Sequence, residues 1–211
     1  MIVIIGSNKG GAGKTTTATN LAVGLAHAGN DVCLVDADPQ RSAARWHQDR
    51  EEAGHAPGIT LIEKRDNITQ TLRSLHDKFD FVVVDVAGRN SRELITGAVV
   101  ADMIIAPHQA SQLDLDTLAE LQQQTIRIRD LNPELKVHIY HTMASTNPTV
   151  REAERSEFLE YVANFPEFQP LESIGHYRKA YKDVIPLGLS VLEHINEQAK
   201  NEVQTLLQEV F

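Results

Sequence analysis

The sequence predicts a three-layer α/β fold, a doubly wound and mostly parallel sheet with helices on both faces, and three observations carry that expectation. Apolar, β-branched runs alternate with helix-like segments over most of the chain. Ile2-Val3-Ile4-Ile5 and Val82-Val83-Val84 are apolar without a polar break, the pattern of strands buried on both faces. A glycine-rich turn follows the first run and leads into an amphipathic helix, and such folds bind ligands at the carboxyl ends of their strands.

In chain order the strand runs fall at residues 2–5, 32–35, 59–62, 81–84, 103–106 and 137–140. Helix-like segments lie at about 14–28, 40–53, 67–77, 91–99, 113–131 and 148–163. In the first of these, Leu21, Ala22, Leu25 and Ala26 recur at helical spacing. Residues 166–170 read as a loop too short to separate domains, so residues 1–211 form one domain. That length buries a core without disulfides or structural metal.

Hydrophobic residues at 42% and charged residues at 23% place the chain among soluble globular proteins. Cys33, the only cysteine, permits no internal disulfide, which fits a reducing cytoplasm. The N-terminal apolar run is too short for a signal peptide, and no run approaches the ~18 residues that span a bilayer. A net charge of −9 argues against a uniformly basic nucleic-acid surface and leaves room for a local patch.

Lys9-Gly10-Gly11-Ala12-Gly13-Lys14-Thr15-Thr16 makes a phosphate cradle between strand and helix. Glycines let backbone N–H groups face an anion, and the helix start adds its positive dipole end. Lys14 reaches β/γ-phosphates and the Thr15 hydroxyl ligates Mg²⁺ in the P-loop pattern G-x-x-x-x-G-K-[ST]. Asn8 stands where the first glycine of that pattern belongs, and Asn tolerates left-handed backbone. Lys9 is an additional lysine inside the loop.

Val32-Cys33-Leu34-Val35 delivers Asp36 and Asp38 to the same sheet end, suited to Mg²⁺ and water positioning. The competing reading of Asp38 before Pro39 is a helix N-cap, and the two readings are compatible. Phe81-Val82-Val83-Val84-Asp85 is a second strand ending in an acid, the place where P-loop NTPases support their metal. No N-K-x-D guanine signature is present, which favours adenine.

Together these residues resemble the ParA/MinD group of deviant-Walker ATPases. Lys9 matches the group's signature lysine, and Val35-Asp36-Ala37-Asp38-Pro39-Gln40 is similar to its second motif. Asp102-Met103-Ile104-Ile105-Ala106-Pro107, continued by Ser111-Gln112-Leu113-Asp114, looks like the strand and loop that flank the nucleotide base. The short chain, Asp85-Val86-Ala87-Gly88 and Trp46 are most similar to the small plasmid-partition ATPases of the ParF kind. Ala110 and Gln112 stand where partition ATPases commonly have prolines, and Asp85-Val86-Ala87-Gly88 replaces the commoner Asp-x-Pro-Pro.

The resemblance implies ATP/ADP and Mg²⁺ as cofactors, with Gly10, Gly11, Ala12, Gly13, Lys14, Thr15, Thr16 and Pro107 around the nucleotide. Thr15, Asp36 and Asp85 are the expected metal-side residues, Lys14 acts in cis, and Asp38 organises the attacking water. Lys9 then reaches the phosphates of a partner copy, giving a homodimer on ATP. The family also implies non-specific DNA binding, a weak ATPase stimulated by a centromere-binding protein of the ParB or ParG kind, and a cytoplasmic, nucleoid-associated protein. The alternative is a related ATPase that positions a membrane-linked or protein assembly.

The C-terminal half separates these readings. Residues 196–211 carry one cation, Lys200, against Glu197, Glu202 and Glu209, so the helix is expected to pack on the core and give no stable membrane anchor. His176-Tyr177-Arg178-Lys179-Ala180-Tyr181-Lys182 is a basic, aromatic cluster. Arg178, Lys179 and Lys182 are the candidate DNA contacts; the competing reading is a solvated helix face with Tyr181 tucked inward. One strand cysteine cannot hold the cluster of a nitrogenase-reductase-like electron carrier.

Overall fold

The computed structural model describes residues 1–88, 91–111 and 117–211. Seven parallel strands form one sheet: β1 (Ile2–Ile5), β2 (Val32–Ala37), β3 (Thr60–Glu63), β4 (Phe81–Val86), β5 (Met103–His108), β6 (Lys136–Ala144) and β7 (Gln169–His176), in the order β3-β2-β4-β1-β5-β6-β7. The chain builds outward from β1 on one side, then crosses to β5 on the other, so the strand order reverses at β1. A ligand crevice belongs at that reversal, outside the carboxyl ends of the strands.

Alternate residues of the central strands feed two cores. Ile2, Ile4, Val82, Val84 and Val86 pack with α3 (Thr69–His76), α4 (Arg92–Ala98), α5 (Thr117–Arg129) and α6 (Pro148–Val162) on one face. Val3, Ile5 and Val83 pack with α1 (Lys14–His27), α2 (Ser42–Glu52) and α8 (Glu197–Val210) on the other. This period-2 split explains why both faces of the strands had to be apolar. A short α7 (Lys179–Val184) and two 3₁₀ turns, Ile185–Leu187 and Val191–Glu193, lead into α8.

Two local readings are corrected. Asp38 does not cap α2: the helix starts at Ser42, its N-cap is Arg41 at φ 56°, and the Asp38 carboxylate accepts from Gln40 N at 2.8 Å in a tight turn. Asp36 takes over the capping work, accepting from Ala44 N at 2.8 Å within the first turn of α2. Residues 166–170 are only partly loop, because β7 begins at Gln169 and runs to His176. It is an edge strand with one solvated face, where Pro170 is tolerated and only alternate residues are buried. The expected start of the 113–131 helix lies outside the described residues, as do Gln112 and Asp114 of the base-flanking loop.

The last helix is held on the core. Ala199, Val203 and Leu206 of α8 are buried, and Gly24 of α1 leaves the room that Leu207 fills. A buried ion pair ties α2 to the turn before α8. Arg50 donates from both Nη atoms to Glu193 at 2.9 Å, and also to Gly188 O at 3.0 Å and Pro57 O at 3.1 Å. Trp46 Nε1 reaches Leu189 O at 3.0 Å beside it.

Gly188 adopts φ 63°, and a Cβ there would lie 2.2 Å from the Arg50 backbone nitrogen. Gly188→Ala is therefore expected to destabilise the fold by on the order of 3 kcal/mol, through strain and overpacking together. Urea unfolding measures it; an unchanged midpoint would show that this turn yields easily.

Candidate functional site

The turn after β1 wraps around an open concavity. Gly11 and Gly13 sit at φ 77° and 89°, left-handed values that side chains resist, and a Cβ on Gly10 or Gly11 would meet nothing within 4 Å. Gly13 caps α1 with its carbonyl, which accepts from Thr17 N at 2.8 Å. Ala12 is buried, and its carbonyl accepts from Thr142 Oγ1 at 2.9 Å, anchoring the loop to the end of β6. Thr16 is half-buried on the first turn of α1, its carbonyl accepting from Asn20 Nδ2 at 2.7 Å. On the opposite side Gly88 abuts the loop: a Cβ there would be 3.2 Å from Gly10 N. Asn8, fully buried at the missing-glycine position, donates to Gln124 Oε1 of α5 at 3.2 Å.

Lys14 folds back over this loop and donates to the Lys9 carbonyl at 2.5 Å. Burial lowers its pKa, while Asp85 and Asp38 pull the other way. Lys9 is half-buried in the turn ahead of it.

Strand register brings the acids to the loop. Asp36 pairs with Asp85 across β2 and β4, and Asp85 with Ile5 across β4 and β1. Both carboxyls are fully buried. Thr15 Oγ1 donates to Asp85 Oδ2 at 2.7 Å, whereas Asp85 Oδ1 has no partner among the described residues. Desolvation pushes the Asp85 carboxyl up to about 7 despite that hydrogen bond, with Asp36 and Asp38 adding repulsion. Asp36 is also raised by burial, but Ala44 N and Asp38 N donate to it at 2.8 and 3.0 Å and oppose the shift. Arg65 closes over Asp36 as well, donating to its carbonyl with Nη2 3.6 Å from its carboxylate. Asp38, half-buried, stands at the turn beyond β2.

A divalent cation fits this arrangement. An unpartnered buried carboxylate oxygen beside a threonine hydroxyl is a pair of hard oxygen donors, and Mg²⁺ typically takes one or two such groups plus substrate phosphates. Asp36 differs in that both of its carboxylate oxygens already accept backbone N–H groups.

Beside the loop opens a cavity of about 380 Å³. Gly13, Thr16 and Thr17 form its floor, Thr142 and Met143 one wall, and residues 175–178 with Tyr181 another. Met143 holds φ 56°, a left-handed conformation at the irregular end of β6. Pro107 does not line the cavity; it is buried in β5 opposite Tyr140.

The basic cluster thus lies on the cavity rim. Arg178 turns inward, donating to Glu202 at 2.6 Å and Gln198 at 2.7 Å. Lys179 is 85% exposed and paired with Asp183 at 2.6 Å, a surface pair that water and salt weaken. Lys182 bonds the Tyr177 hydroxyl and lies 4.5 Å from the centroid of that ring. Tyr181 donates to Glu202 at 2.9 Å. Thr142, Met143 and Asn20 were missed in the sequence; only the end of an apolar strand at a polar residue marks the first two.

The family model of the ATPase MipZ matches residues 1–143. Protein ParA of Rhizobium radiobacter is 31% identical over 156 residues, covering 72% of this chain and 68% of its own length. Maintenance of carboxysome distribution protein A of Halothiobacillus neapolitanus is 27% identical over 206 residues, covering 96% of this chain and 93% of its own. The solved structure of apo McdA from Cyanothece has a TM-score of 0.79 at 18% identity, over 100% of this chain and 99% of that one, a likeness of fold.

The Asp85 carboxyl at about 7, against 3.8 ordinarily, makes the folded chain hold a proton that the unfolded chain has lost. Stability in the absence of metal therefore falls as pH rises from about 4 to about 7. Asp85→Asn removes the charge and keeps an acceptor for Thr15. Without Mg²⁺ it is expected to be more stable than the parent near pH 8, by up to on the order of 4 kcal/mol, with the gap closing toward pH 4. Thermal unfolding across pH measures this; a variant less stable at pH 8 would contradict it.

Proposed function

This chain belongs to the MipZ family of ATPases, and we propose that it is a magnesium-dependent ATPase that pairs two copies around ATP, binds DNA without reading sequence and partitions a plasmid or similar replicon. The observation that carries this reading is the loop itself: Lys9 heads the turn whose Thr15 hydroxyl meets the buried Asp85 carboxylate.

On this reading the backbone N–H groups of the loop and of the first turn of α1 donate to phosphate oxygens. Lys14 exchanges the Lys9 carbonyl for the β- and γ-phosphates. Thr15 and Asp85 hold the metal, and Asp36 fixes the turn that carries Asp38 through the Asp38 N–H and the cap of α2. Asp38 orients the attacking water. Mg²⁺ held by Thr15 and Asp85 would supply charge neutralisation for phosphoryl transfer. The nucleoside end enters the cavity beside Gly13 and Thr16. Lys9 reaches the phosphates of the second copy, so hydrolysis and pairing depend on one side chain. A centromere-bound protein of the ParB or ParG kind stimulates turnover, and the pair sits on nucleoid DNA.

Lys179 and Lys182 are the DNA-facing cations in this reading, since Arg178 is committed to Glu202. Two lysines per copy give a log–log salt slope of about −4 for the pair. A second reading replaces the replicon with a protein assembly, and the near full-length match to the carboxysome distribution protein favours it. A membrane cargo has less support: the apolar side of α8 is buried in the domain, and among the described residues no helix is long and apolar enough to cross a membrane.

Lys9→Ala is expected to keep nucleotide binding while ATP-driven pairing is lost and turnover falls by about a hundredfold. Light scattering with a non-hydrolysable ATP analogue and phosphate release measure it. Unchanged pairing and turnover would remove Lys9 from the mechanism. Binding to arbitrary duplex DNA should require the ATP analogue, fail with ADP and weaken along the shallow slope above; no ATP-dependent, salt-sensitive binding would refute the partition reading.

A further inference from the structure

The C-terminal helix lines the cavity with Val203 and Leu206, and one of its carboxylates stands behind the polar wall. Glu202 of α8 accepts from Arg178 Nε at 2.6 Å, His176 Nδ1 at 2.8 Å, Tyr181 Oη at 2.9 Å and His176 N at 3.2 Å. A carboxylate only accepts, so the His176 ring carries its proton on Nδ1 in this contact. His176, Arg178 and Tyr181 all line the cavity, whereas Glu202 does not. Its side chain is 9% exposed and that of Arg178 is 18% exposed, so the pair is shielded from water and screened little by salt.

Removing this carboxylate leaves an imidazole N–H and a phenol part-buried without their acceptor, and leaves the guanidinium with Gln198. The first two must turn toward other partners, and the wall they form turns with them. The phosphate loop is held elsewhere, by Thr142 on the Ala12 carbonyl and by the close approach of Gly88. Thr142 and the start of α1 are shared by loop and cavity, but the wall at residues 176–181 has its own acceptor in Glu202.

We propose that Glu202 is a positioning residue for the nucleoside end of the bound nucleotide, gathering His176, Arg178 and Tyr181 into one cavity wall. This rests on the reading that ATP lies with its phosphates in the loop and its nucleoside in the cavity. It gives α8 a polar part in the site beside the apolar lining of Val203 and Leu206.

Calorimetric titration of the full chain with Mg²⁺-ATP and with Mg²⁺-tripolyphosphate separates the two ends, because tripolyphosphate has no nucleoside. Glu202→Gln, which keeps the size of the side chain, should weaken ATP by about tenfold and change tripolyphosphate by less than about twofold. Glu209→Gln is the control. Glu209 also fastens α8 to β7, accepting from Glu172 N at 2.6 Å and Ser173 N at 2.8 Å, but it does not line the cavity. It should lower the thermal midpoint and leave the ATP-to-tripolyphosphate ratio unchanged. Equal weakening of both ligands by Glu202→Gln, no weakening of either, or the same change of ratio in Glu209→Gln would overturn the proposal. A parent chain that binds ATP no tighter than tripolyphosphate would instead refute the placement of the nucleoside, and Glu202 would lose its role with it.

Discussion

The parallel register of β2 and β4 sets Asp36 directly beside Asp85 at the buried end of the sheet, and most of the site follows from that juxtaposition. Two desolvated carboxyls repel each other, so each needs donors or a cation. Asp36 is satisfied by two backbone N–H groups and by Arg65. Asp85 receives one hydroxyl, from Thr15, and keeps one oxygen without a partner among the described residues. The asymmetry divides their work. One acid secures the turn carrying Asp38, and the other is left short of positive charge next to a loop built for phosphate.

Around this centre the domain is tied together by side chains distant in sequence. Thr142 brings the end of β6 onto the phosphate loop, and Arg50 joins α2 to Glu193 in the turn before α8. Asn20 of α1 receives Ser190 Oγ and Val191 N at 2.7 and 2.9 Å. The helix that begins at the phosphate loop and the helix that follows β2 thus both hold the C-terminal segment. On either side of that segment, residues 175–178 with Tyr181, and Val203 with Leu206, close the cavity. Breaking the Arg50 pair would leave a buried charge uncompensated, so this connection is stiff.

Much of this was legible in the sequence because it is local. A strand, a glycine turn with Lys14 and Thr15, and acids at strand ends are contiguous words, and the uninterrupted apolar runs at residues 2–5 and 82–84 announce strands covered on both faces. What escaped was non-local or one-sided. β7 is half-solvated, so its period-2 pattern carries few apolar residues, and Pro170 obscures it further. The cap of α2 comes from Asp36, eight residues before the N–H it accepts, so the nearer Asp38-Pro39 pair misled. Within the cationic cluster at 176–182 Lys179 is exposed, but Arg178 is drawn inward by Glu202, an acceptor that lies on another helix.

Desolvation holds the Asp85 carboxyl up to about 7, and the proposed metal site requires that a bound cation ionise it. Calorimetry of Mg²⁺-ADP binding near pH 6, in buffers of different ionisation enthalpy, counts the protons released. With the carboxyl at about 7, the parent chain should release close to one proton more than Asp85→Asn on binding the same nucleotide. Equal proton release by the two proteins, both binding, would mean that the cation does not ionise Asp85 and that the site works in some other way.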